Sequence, residues 1–213
     1  YAMAVHSLGA VNGPDIDPGN VAYFGTRRYP YSTDMSKNPL SFKHIQNGVG
    51  LPAGIPVNAN TSENAEVHNT GEVWAGMLWQ CYASLLNRHP FAEAQTRMKN
   101  ALVAGYKLTP VNPTLIEARD ALLAVMAVKD PQDHLSCLEG FARRGAGINA
   151  QAMTDRYSST NIGVTEDFQS GGALVLDDMV LSMTAPGAQR CDADQILDAT
   201  ETGVLQLTVR NRG

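Results

Sequence analysis

Apolar residues fall at helical spacing across the middle of the chain but not at its start. Val73, Trp74, Met77, Leu78, Cys81, Tyr82 and Leu85 form one broad apolar face and predict a helix over about 70–88. Asn69 or Thr70 is placed to cap it, Glu72 falls in its first turn, and Pro90 stops it. A second helix is predicted over about 91–108, with Met98, Leu102 and Tyr106 on one side. A third begins at Asn112-Pro113, with Asn as the cap and Pro in the first helical position, and carries Leu115, Ala118, Leu122 and Met126 as its stripe. A fourth spans about 131–144, with Gly145 and Gly147 as left-handed C-terminal caps.

The flanks differ. Residues 9–66 are rich in Gly, Pro, Asn and Ser and show only a possible turn near 20–24, the composition of a functional loop or linker. Residues 173–176, 179–183 and 204–209 read as short strands. The predicted fold class is therefore mainly α, a helical bundle with a short β-rich tail. The predicted division is 1–165 for the helical part and 166–213 for a linker and the first strands of a second module.

Composition narrows the function. The chain has 213 residues, 44% of them hydrophobic and 17% charged, which suits a globular domain. A net charge of −5 and the absence of any Lys/Arg cluster beyond Arg27-Arg28 and Arg143-Arg144 argue against a nucleic-acid partner. No apolar run is long enough to span a bilayer, so no membrane partner is expected. The chain opens at Tyr1 without a signal segment, as a fragment or processed product would. Three cysteines at uneven spacing match no zinc motif. Cys81 and Cys137 are expected to be buried thiols on apolar helix faces, with a Cys81–Cys137 bridge as the alternative in an oxidising compartment.

Candidate chemistry is sparse. None of the five histidines forms a His-x-x-x-His pair, and neither a phosphate loop nor a nucleophile elbow is present. His68 stands just before a predicted helix, where the dipole opposes protonation while a carboxylate from Glu63 or Glu66 favours it. That balance suits a proton donor or oxyanion stabiliser, although on spacing alone a histidine at a helix start is more often a polar cap residue than a catalyst. Arg27 and Arg28, set among Tyr29, Pro30 and Tyr31, could clamp a peptide carbonyl or could pair with Asp34 or Asp15 at the surface.

Five ordered segments sharpen this picture. Arg27–Met35 with Asn38-Pro39-Leu40, Val67–Ala75, Leu108–Thr114, Glu117–Ala121, and Phe141–Gly147 followed by Tyr157-Ser158-Ser159 together resemble the fungalysin peptidases, from about residue 1 to 165. The resemblance implies a helical part like the C-terminal subdomain of thermolysin-like peptidases. It further implies a secreted, extracellular zinc metalloendopeptidase acting on protein or peptide substrates. In such enzymes the metal polarises the scissile carbonyl and a histidine steadies the oxyanion.

Residue by residue, the resemblance assigns the oxyanion role to His68, supported by Glu66 and Glu63. Arg27 takes the substrate-backbone contact, with Arg28 as the alternative register. The family's His-Glu-x-x-His helix and third zinc ligand have no counterpart here. Zinc would be held by a missing N-terminal half of the domain, and this chain alone is expected to be inactive. Val111 stands where the family has a cysteine, so the resemblance implies no pairing. The 192–203 segment resembles the opening of bacterial Ig-like β-sandwich modules, and Asp192, Asp194, Asp198 and Glu201 make a calcium site conceivable. A non-catalytic helical binding or scaffold module of a secreted protein is the competing reading.

Overall fold

The computed structural model describes residue 24 and residues 27–58, 63–171, 174–184, 186–189, 196–197 and 199–211. The chain divides into two compact units, Tyr1–Ser170 and Gly171–Gly213. The described elements of the first unit are a 3-10 turn over Phe42–Ile45 and four helices: α1 (Val67–Arg88), α2 (Phe91–Leu108), α3 (Leu115–Lys129) and α4 (Pro131–Arg143). The fold is thus mainly helical.

Helix α1 is the hub, packing chiefly on α4 and also on α2, while α3 lies against both α2 and α4. Its buried positions Val73, Met77, Cys81, Tyr82 and Leu85 lie on the face that the apolar spacing picks out. The α1–α4 approach is close because Gly140 has no side chain. A Cβ there would stand 2.9 Å from the Cys81 nitrogen and the Gln80 carbonyl carbon. One turn before Gly140, Cys137 forms a disulfide with Cys81, with 4.2 Å between their Cα atoms. This corrects the expectation of free buried thiols. Side chains at the hub of two closely packed helices are near enough to bridge. Cys191 lies outside the described residues.

Several helix starts are displaced from expectation, each for a local reason. Helix α1 begins at Val67 with Glu66 as its N-cap, so His68 lies inside the first turn and Glu72 in the second. Helix α3 begins at Leu115. Thr114 and Glu117 form a capping box there, and Asn112 adopts the left-handed region at φ 51° instead of capping. Asp130 caps α4 and Pro131 occupies its first position. Gly145 takes the left-handed C-terminal conformation at φ 79°. Gly147 does not; it is pressed against the Asp167 and Gln169 carbonyl oxygens, where a Cβ would collide. On α2 the buried stripe is Ala94, Met98, Ala101 and Gly105, and Tyr106 is exposed.

The described part of the glycine- and proline-rich segment before α1 is not a detached linker, because Tyr29, Leu40, Phe42 and Ile45 enter the same hydrophobic core as the helices. Buried Arg144, just past α4, organises it. Its guanidinium donates to the carbonyl oxygens of Asn38, Leu40 and Ser32 at 2.5, 2.9 and 2.5 Å. With only carbonyl partners to offset desolvation, burial pushes the arginine down to about 10, and Arg143 adds to the effect.

In the second unit, β1 (Leu174–Ser182) and β2 (Val204–Asn211) pair antiparallel, Met179 facing Leu207 and Leu181 facing Leu205. Among the described residues, the predicted runs 173–176 and 179–183 share one strand over Leu174–Ser182, interrupted by a register shift between Leu176 and Asp178, and residue 173 lies outside the described residues.

Candidate active-site wall

Of the sequence-predicted residues, Glu66 and His68 form the first turn of α1, and Glu63 and Arg28 bond to Asn69 in the same turn. Glu66 is the N-cap, a position whose side chain can satisfy the free N–H groups at a helix start. Its Oε2 accepts from the backbone N–H of His68 at 2.8 Å and of Asn69 at 3.1 Å. Its Oε1 lies 2.6 Å from the His68 Nδ1. The bond to His68 is the largest cause holding the Glu66 carboxyl below the usual range, with the two backbone N–H groups adding to it. The His68 side chain is 71% exposed. Among the described residues, Nδ1 is the ring nitrogen engaged by protein. Glu63 does not reach the imidazole. Its carboxylate accepts from the Asn47 side-chain amide, and its carbonyl oxygen accepts from Asn69 Nδ2 at 2.9 Å.

The two arginines have different settings. Arg28 is buried, 2% exposed. Its Nε donates to Glu72 Oε2 at 2.8 Å, one terminal nitrogen to Asn64 Oδ1 at 2.7 Å, and the other to the Asn69 carbonyl oxygen at 3.3 Å. Burial is the larger influence on Glu72 and pushes its carboxyl upward, against the pull of Arg28 and of the Tyr29 N–H. Arg27 is half-buried, with its Nε donating to the Tyr31 hydroxyl at 3.3 Å. Asn58 ties the same loop from the other side, its backbone N–H bonding the Arg28 carbonyl oxygen at 2.9 Å.

A second charged cluster escapes sequence reading because its members come from three different helices. His89, at the C-cap of α1, places Nε2 2.6 Å from Asp133 Oδ1 on α4. Arg97 of α2 donates to Asp130 Oδ2 at 3.0 Å and Asp133 Oδ2 at 2.8 Å, and Arg88 Nε reaches Asp133 Oδ1 at 3.2 Å. Burial alone would raise Asp133, but the hydrogen bonds from His89, Arg97 and Arg88 outweigh it and hold the carboxyl low.

His89, Asp130 and Asp133 are the only group of three potential metal ligands among the described residues. They do not fit a catalytic metal, since Arg97 and Arg88 already occupy the carboxylate oxygens a cation would need. Of the conceivable calcium set, Asp192, Asp194 and Asp198 lie outside the described residues, and Glu201 alone is described. Among the described residues, no helix is long and apolar enough to cross a membrane.

The family described as Fungalysin metallopeptidase (M36) matches residues 18–150. The chain is similar to an extracellular metalloproteinase, mep, of Aspergillus terreus, 33% identical over 140 residues, which is 59% of this chain and 20% of that protein. The extracellular metalloproteinase MEP of Neosartorya fischeri is 34% identical over 158 residues, 67% of this chain and 22% of that protein. Extracellular metalloproteinase 2 of Trichophyton rubrum is 28% identical over 149 residues, 63% and 21%. The chain spans about a fifth of the length of these relatives. With the family model covering more than half of its length, the chain belongs to the fungalysin metallopeptidases.

Proposed function

We propose that this chain forms the metal-free wall of the active-site cleft in a secreted zinc endopeptidase. His68 steadies the oxyanion of the tetrahedral intermediate, Glu66 orients it, and Arg27 holds the substrate backbone beyond the scissile bond. The observation that carries this reading is the exposed His68 ring, fixed through Nδ1 by the carboxylate that also caps its helix. With its Nδ1–H donated to Glu66, the ring presents Nε2, and in the protonated state that nitrogen donates toward developing negative charge. Arg27 is the better candidate for the substrate contact, because the Arg28 guanidinium is enclosed by Glu72, Asn64 and Asn69. Glu63, committed to Asn47 and Asn69, supports the turn rather than the ring.

In this reading the zinc ligands are supplied by polypeptide outside this chain, whose sequence carries no His-Glu-x-x-His segment, and the chain alone is inactive. The α1–α4 disulfide suits an oxidising, extracellular setting. Residues 166–213 are read as a linker and the first strands of a separate Ig-like module. The test is to express the complete gene product and measure metal content and peptide-bond cleavage. A His-Glu-x-x-His segment upstream, bound zinc and chelator-sensitive endopeptidase activity are expected. A complete product without that segment and without cleavage overturns the reading in favour of a scaffold module.

A further inference from the structure

Glu72 takes no part in the reading above, yet it is the most enclosed acid among the described residues, 1% exposed. Its Oε2 accepts from Arg28 Nε at 2.8 Å and its Oε1 from the Tyr29 backbone N–H at 2.8 Å. The same guanidinium reaches Asn64, whose own amide donates to the carbonyl oxygens of Gln46 and Val49 at 2.8 and 2.7 Å, and the carbonyl of Asn69. One buried node thus joins the loop at 27–29, the loop at 46–49 and the first two turns of α1. Arg28 is the chain neighbour of Arg27, and Asn69 is the chain neighbour of His68.

A buried ion pair contributes little net stability, because desolvation offsets most of the attraction. What an arginine fork with fixed donor directions does supply is geometry. Here the fork leaves the loop that carries Arg27 and two of its donors end on α1, which carries His68, at Glu72 and at the Asn69 carbonyl oxygen.

We propose that Glu72 is a positioning residue: through Arg28 and the Tyr29 N–H it locks the loop bearing Arg27 onto the helical turn bearing His68. A peptide held at Arg27 is then presented in register with the imidazole. This rests on the peptidase reading above.

The test uses the complete gene product and two substrates with the same sequence before the scissile bond. One continues for two residues beyond it and reaches Arg27; the other ends there in a chromogenic amide. Glu72→Gln keeps the side chain's shape and removes its charge. The ratio of kcat/KM for the long over the short substrate is expected to fall about tenfold, mainly through KM for the long one. Arg28→Lys, which keeps the charge and loses the fork, is expected to do the same. A merely structural role lowers the amount of active enzyme and scales both substrates alike, so an unchanged ratio overturns the proposal while leaving the peptidase reading intact. If neither variant yields folded protein, the node is a folding element and the proposal fails. If the wild-type product cleaves neither substrate, the peptidase reading fails first and this one with it.

Discussion

Glu66 binds His68 twice, Oε2 accepting from its backbone N–H at 2.8 Å and Oε1 lying 2.6 Å from its ring Nδ1. One carboxylate therefore starts the helix and orients the imidazole. The Glu66 carboxyl is held low first by the imidazole and then by backbone N–H groups. Its stabilising effect is present above the unfolded carboxyl range and is lost as pH falls through the lowered folded value. Replacing His68 by Ala removes the largest cause, so the Glu66 carboxyl should titrate at higher pH than in wild type while remaining below an uncapped glutamate. Carboxyl-carbon NMR of the 213-residue chain measures this. An unmoved titration would mean that the cap alone sets the shift.

The disulfide is expected to matter to the helical unit. Replacing Cys81 and Cys137 together by Ala opens a link across 56 residues of sequence, and loss of its constraint on the unfolded chain should cost about 2–4 kcal/mol. Denaturant unfolding of oxidised wild type and the double variant measures the difference. Equal midpoints would show that packing alone holds α1 on α4.

Gly140→Ala tests the same interface by crowding it. The added methyl meets backbone atoms of Gln80 and Cys81 at 2.9 Å, and backbone inside a helix has little room to retreat. A loss of about 1–3 kcal/mol is expected in thermal or denaturant unfolding. Gly71→Ala is the control, since nothing lies within 4 Å of its added Cβ.

At the opposite end of α1, Asp133 links His89, Arg88 and Arg97. Its lowered carboxyl means that the wild type binds fewer protons folded than unfolded in acid, so this stabilisation is complete above the ordinary value of 3.8 and fades as pH falls below it. Asp133→Asn should cost about 1–3 kcal/mol near neutrality, the partly exposed arginines reducing the full buried-pair penalty. The gap from wild type should shrink below the ordinary value. A gap independent of pH would contradict the assignment.

The sequence shows much of this fold and little of its bracing. The α1 face and the bounds of α2 are legible because apolar spacing and Pro90 mark them. The start of α3 is not, because the Asn112-Pro113 pair looks like a cap while the Thr114–Glu117 box provides one. A glutamate N-cap at Glu66 hides behind better-capping neighbours, which displaces His68 by a turn. Arg28 and Glu72 are separated by 44 positions, and Arg144 and Asn38 by 106. No local pattern announces that such charged or polar residues will be buried together. The family segments point to His68 and the Arg27-Arg28 pair, but that Arg28 is a buried brace bonded to Glu72 and Asn64 is visible only in the fold.

The most direct measurement on the peptidase reading is turnover by the complete gene product carrying His68→Ala, with bound metal determined on the same sample. Loss of an oxyanion donor should lower kcat by about 10²–10³ with metal content unchanged. Turnover at the wild-type rate in a folded, metal-loaded variant would remove His68 from the chemistry.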